Sequence, residues 1–139
     1  MNEGIPLNEV ISQHALWCAE NHKGKRADLS YGDLRGTNLS GALLDGATLK
    51  NCDLRGVDLR GAKLNGANLS HADLRGADLR GTEMQNANLS HARLQGADLQ
   101  GAMFKDADLH GATGLRPQIF VMMPLEQCES LIGPFWNAS

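Results

Sequence analysis

From residue 27 to residue 111 a leucine-type side chain returns every five positions without a break. The centres are Leu29, Leu34, Leu39, Leu44, Leu49, Leu54, Leu59, Leu64, Leu69, Leu74, Leu79, Met84, Leu89, Leu94, Leu99, Phe104 and Leu109. A period of five suits neither common element. On an α-helix, steps of five rotate by roughly 140°, which spreads the leucines around the whole axis. On a straight strand they alternate faces. Only a chain that turns a corner every five residues keeps every centre inside.

Each unit has the same anatomy. Two residues before the centre the side chain is small: Ala27, Gly32, Thr37, Ala42, Ala47, Cys52, Val57, then almost only Ala as far as Ala107. One before is usually Asp or Asn, one after is polar, and two after is mostly Gly, which suits turns of positive φ. One large and one small inward position make a narrow core, and a long residue at the small position would overpack it. No unit can bury its own leucine, so stacked neighbours must supply the stability.

A longer period lies over the short one. Ala67-Asn-Leu-Ser-His71 recurs as Ala87-Asn-Leu-Ser-His91, and Asp-Leu-Arg-Gly begins at Asp33, Asp53 and Asp73. Twenty residues is four units, the signature of a coil with four sides. At this point the chain resembles the pentapeptide-repeat family, whose unit is A(D/N)LXX. The resemblance covers 85 of the 139 residues. It implies an all-β solenoid: a right-handed quadrilateral parallel β-helix of about four coils, a rod roughly 20 Å long at the ~4.8 Å spacing of stacked strands.

The organisation expected is three-part. Residues 1–26 carry a capping α-helix, 27–111 form the β-helix, and 112–139 form a C-terminal apolar cap or dimerisation tail. In the first part, Asn8 is a candidate N-cap with Glu9 in the first turn. Leu7, Val10, Ile11, His14, Trp17 and Cys18 share one face at 100° per residue, whereas Leu16 points away. The spacing predicts a helix over 8–21 lying across the open first coil, anchored by Trp17, with His14 as a packing residue. A solenoid end needs such a cover, because it exposes unpaired strand edges.

Four units per coil sort the surface into sides. The first carries Tyr31, Asn51, His71, His91 and Gly111 in one outward column. His71 and His91, one coil apart, are the candidate metal ligands, but no carboxylate shares their column to complete a shell, so no metal or other cofactor is expected. The second side carries Asp33, Asp53 and Asp73 in one column and Arg35, Arg55 and Arg75 in another; the third sets Asp58, Asp78 and Asp98 beside Arg60 and Arg80. This is a charged face of exposed pairs, each worth ~0–1 kcal/mol. The fourth side, centred on Leu44, Leu64, Met84 and Phe104, also shows Leu43 and Met103 outward. After Gly111 the repeat fails: Gly114 stands where a leucine is due and Leu115 arrives one residue late. Among the apolar residues that follow, Phe120, Leu131, Ile132, Phe135 and Trp136 are the candidate dimer interface.

Function is less constrained. No nucleophile–base arrangement or phosphate loop is present, and carboxylates on a convex rod lack a cleft to shift their pKa, so an enzyme is not expected. The net charge of −3 advertises no direct nucleic-acid binding. No apolar run reaches the ~18 residues of a membrane span, no signal peptide is visible, and Cys18, Cys52 and Cys128 are odd in number and far apart, which suits reduced thiols in a cytoplasm. The reading is a non-catalytic scaffold for an unidentified protein partner, with a homodimer through the tail as one arrangement. The family resemblance implies an alternative, because some members mimic duplex DNA, bind DNA gyrase or topoisomerase IV and confer tolerance to quinolones. A mimic should be strongly acidic. Here the repeat holds eleven acidic and nine basic side chains, a net of −2.

Overall fold

The structure is a computed structural model and describes residues 4–19 and 23–115. One helix, α1 (Leu7–Ala19), precedes a long stack of parallel bridges. Each bridge joins residues twenty apart, from Asp28–Thr48 to Arg93–Thr113, and successive bridges start five residues apart. Four bridges therefore share each coil. The stack reaches Thr113, two residues past the end that the loss of the leucine register suggests, because backbone pairing needs no leucine: Leu94 N–H still donates to the Thr113 carbonyl at 2.9 Å.

The bonding pattern explains the period. From Leu29 to Leu94 each centre's N–H donates to a carbonyl one coil ahead, as Leu54 does to Asp73 at 2.8 Å. The N–H before the centre donates one coil back, as Asp53 does to Gly32 at 2.9 Å. A bond from the small residue to the preceding centre closes the corner, as Val57 to Leu54 at 3.1 Å. The backbone is thus satisfied along the stack as well as around it.

Inside, the two inward rows fill the axis. Leu54, Leu74, Met84, Phe104 and Leu94 are all buried to within 1% of full, and Leu29 and Leu34 at the first coil are only slightly more open. Ala62, Ala67, Ala72, Ala77, Ala87 and Ala92 form the small row. Thr82 belongs to it too, and its hydroxyl donates to the Leu79 carbonyl at 2.8 Å, so a polar group is carried in the core without an unpaired atom. Cys52 does likewise toward the Leu29 carbonyl, and burial pushes its thiol up to about 11.

The helix starts earlier than its expected start at residue 8. The Pro6 carbonyl accepts from the Glu9 and Val10 N–H groups, so the helix opens at Leu7. Asn8 lies inside the first turn, where its Oδ1 accepts from the Glu9 N–H. The tail residues expected to cap or dimerise (Phe120, Leu131, Ile132, Phe135 and Trp136) lie outside the described residues.

Candidate functional site

The second and third sides carry the most regular chemistry on the surface. The Asp before each centre bonds the backbone two residues on: Asp33, Asp53 and Asp73 Oδ1 accept the N–H of Arg35, Arg55 and Arg75 at 3.2–3.3 Å. The same carboxylate takes the arginine fork, with Nε at 2.8 Å and Nη2 at 2.6–2.7 Å. Each pair sits within one pentapeptide, so five residues build both the turn and its ion pair.

The pairs also join across coils. Arg35 Nε stands 3.6 Å from Asp53 and Arg55 Nε 3.8 Å from Asp73, while Arg93 Nη1 approaches Asp73 from the far side at 3.9 Å. The third side repeats the design, Arg60 to Asp78 at 3.7 Å and Arg80 to Asp98 at 3.8 Å. The result is two ladders in which Asp53, Asp73 and Asp78 each meet arginines of two coils. The arginine hydrogen bonds hold the carboxyls of Asp33 and Asp58 down to about 2 and lower those of Asp53, Asp73 and Asp78 in the same direction.

The first side differs in character. Its turns carry Tyr31, Asn51, His71 and His91 at φ near +60°, where most corners have glycine. His71 and His91 stack at 4.8 Å with planes 13° apart, and His110 meets His91 edge-on at 5.7 Å. Stacked rings aim their nitrogens side by side rather than at one point. Among the described residues no group of three or more His, Cys, Asp or Glu is placed to hold a metal. Below His91 the next corner is Gly111, where a Cβ would collide with the imidazole.

The fourth side lacks Asp or Asn before its centres, having Leu43, Lys63, Glu83 and Met103. The turn N–H groups are served from the coil behind instead. Asp45 Oδ1 accepts from Asn65 N–H at 2.8 Å, and Asn65 Oδ1 from Gln85 N–H at 3.0 Å. Leu43 and Met103 are 45% and 40% exposed at the two ends of this side.

At the N-terminal end, α1 lies over the first coil. Its buried residues are Val10 and His14. The His14 ring is fully enclosed, taking the Ala27 N–H on Nδ1 at 2.9 Å and meeting the Asp45 carbonyl with Nε2 at 2.8 Å. Trp17, half-buried, stacks on it at 5.4 Å and lies over Gly46. Gly24 lets the connecting chain pass against the helix, since a Cβ there would strike the Gln13 carbonyl, and its φ is +73°. Leu16 faces out, 44% exposed.

The model for pentapeptide repeats, eight copies long, matches residues 25–61, 42–81, 52–90 and 82–113 in overlapping stretches. This chain belongs to the pentapeptide repeat family. Its similarity to solved members is substantial. HetL, a pentapeptide repeat protein involved in heterocyst differentiation regulation from the cyanobacterium Nostoc sp. strain PCC 7120, is 44% identical over 63% of this chain and 40% of its own, with a TM-score of 0.61. The chain therefore spans less than half the length of HetL. A pentapeptide repeat protein of the Arabidopsis thaliana thylakoid lumen is 34% identical over 68% of this chain and 69% of its own, at a TM-score of 0.64. A further pentapeptide repeat protein from Nostoc PCC 7120 is 29% identical over 84% and 93%, at 0.66. Comparison with curated proteins gives no match. Among the described residues no helix is long and apolar enough to cross a membrane.

Proposed function

We propose that this pentapeptide repeat protein is a non-catalytic scaffold, a right-handed four-sided β-helix of about four coils whose ladder faces dock a protein partner. The observation that carries this reading is the pairing on sides two and three. Fixed bidentate forks at coil spacing make a flat, stiff surface of alternating charge, and rigid, patterned charge confers specificity more than raw affinity. A cytoplasmic setting belongs to the same proposal, and the unpaired Cys18 and Cys52 thiols fit it.

The test erases the pairs but keeps the corners. Asp53→Asn with Arg55→Gln, and Asp73→Asn with Arg75→Gln, keep the net charge and the oxygens that accept the turn N–H groups while removing the charge pattern. Partners captured by the wild-type chain should be lost by this variant, with the coil intact by circular dichroism. A partner that both bind equally would move the docking site off the ladders.

The narrower alternative, DNA gyrase or topoisomerase IV as that partner, rests on the family resemblance. The ladders weigh against it, because a carboxylate already holding an arginine is a poor stand-in for a phosphate seeking one. A gyrase supercoiling assay with the protein titrated in, with and without a quinolone, decides the matter. Inhibition or protection at sub-micromolar protein would make gyrase the partner, and no effect at tens of micromolar would remove it. Dimerisation through the tail also belongs to the proposal. Phe135→Asp with Trp136→Asp should give a monomer by light scattering, and an unchanged mass would end that part.

A further inference from the structure

The cap is held on the coil by one titratable ring. His14 joins α1 to both ends of the first coil: to Ala27, where the repeat begins, and to Asp45, on the fourth side. The Ala27 bond runs from a backbone N–H, so Nδ1 must be a lone-pair acceptor. The Asp45 bond runs to a carbonyl, so Nε2 must carry the proton. Only the neutral imidazole with its proton on Nε2 meets both demands. Further polar ties run from the Cys18 Sγ to the Asp45 carbonyl at 3.5 Å and from the Lys25 N–H to the Gln13 carbonyl at 3.2 Å.

A second proton would have to sit on Nδ1. It would face the Ala27 N–H donor head-on, in a site closed to water. Both bonds cannot survive that, and a buried N–H left without an acceptor is costly. We propose that α1 is a proton-released cap: protonation of His14 breaks its bond to Ala27, and the helix leaves the first coil while the bridged coils behind it stay folded. Release uncovers Ala27, Leu29, Leu44 and Ala47, which are buried at this end of the rod.

The charged and titratable groups around the ring are few. Cys18, on α1, places its Sγ 3.4 Å from Nε2, and burial raises its thiol, which keeps it neutral. Arg26, in the connecting segment, opposes a second positive charge, and Asp45, on the coil, favours one. Burial outweighs these and holds His14 below its ordinary value of 6.5. The sign follows: the unfolded or released ring binds a proton more readily than the docked one. Docking is therefore at full strength above pH 6.5 and weakens as pH falls below it.

Amide hydrogen exchange on the full chain between pH 7 and about pH 4 tests this, with rates corrected for intrinsic exchange. Protection of α1 should fall about tenfold per pH unit below about pH 6.5, where the released ring is protonated and the docked ring is not, while the Leu54 and Leu74 amides keep theirs. His14→Gln offers an acceptor and a donor but does not titrate. Whether it leaves α1 docked or released, the state should be the same at every pH. A variant with His71, His91 and His110 all changed to Asn should behave as wild type. The proposal fails if α1 stays protected down to the pH at which the coil itself opens, or if His14→Gln releases α1 with the wild-type midpoint.

Discussion

The residue before each leucine builds the corner before it contributes any charge. Asn68 shows this most simply: its Oδ1 accepts the Ser70 N–H at 3.0 Å, and it has no charge to pair. Asn88 and Asn38 do the same for Ser90 and Ser40. The requirement is an oxygen two bonds from Cβ, which only Asp and Asn supply at that reach. Asn68→Ala should therefore cost about 1 kcal/mol, the net worth of one hydrogen bond. Asn68→Asp should cost much less, and chemical denaturation of the two variants separates them. The sequence shows the Asp/Asn column plainly, but as an outward polar row. Its bond to the backbone becomes visible only with the turn. The same limit hid Asn65, whose amide serves Gln85 twenty residues away, on the one side where the column is missing. A signal was present: side four alone has Asp or Asn one after the centre, at 45 and 65.

At the scale of elements the repeat and its cap were unequally legible. The period of five dictates the coil, and the twenty-residue echo dictates four sides, because both are enforced by every leucine. The cap rests on contacts remote in sequence. His14 is a polar residue on an apolar helical face, and its partners lie 13 and 31 residues onward. Its place on that face marks it as a packing residue, but nothing local names the groups it bonds. The helix start likewise followed Pro6, whose carbonyl receives the first bonds, and Asn8 was displaced into the first turn. Trp17 covers the His14 ring and lies over Gly46. Aromatic pairs of this kind are worth about 0.5–1.5 kcal/mol beyond their buried area. Trp17→Ala should thus lower the protection of α1 by about tenfold or more in hydrogen exchange while Leu74 and its neighbours keep theirs. Equal loss in both would mean that cap and coil unfold as one unit.

The whole molecule is a stack in which each coil is stabilised by the coils on either side, and position along the rod sets what a change costs. Leu34 has a coil on one side only and is 7% exposed, whereas Leu74 is fully buried between two. Leu74→Ala should cost about 2–5 kcal/mol, and Leu34→Ala less, because an end can relax around the void. Urea melts of the two variants measure this. The ladders run along the same stack, and they set the response to acid. Arginine hydrogen bonds hold Asp33 and Asp58 at about 2, against 3.8 when unpaired. A folded carboxyl that gives up its charge later than the unfolded one stabilises the fold in full above pH 3.8, and that contribution drains away as pH falls toward 2. The ladders' contribution to the melting temperature should be lost through this window and not above it. Asp33→Asn with Asp58→Asn keeps both corner oxygens but removes two titrating groups, so its decline should be shallower. Added salt should narrow the difference between the two proteins, since these pairs are open to solvent and screened. A decline that begins well above pH 4 in both proteins would instead point to His14 and the release of the cap.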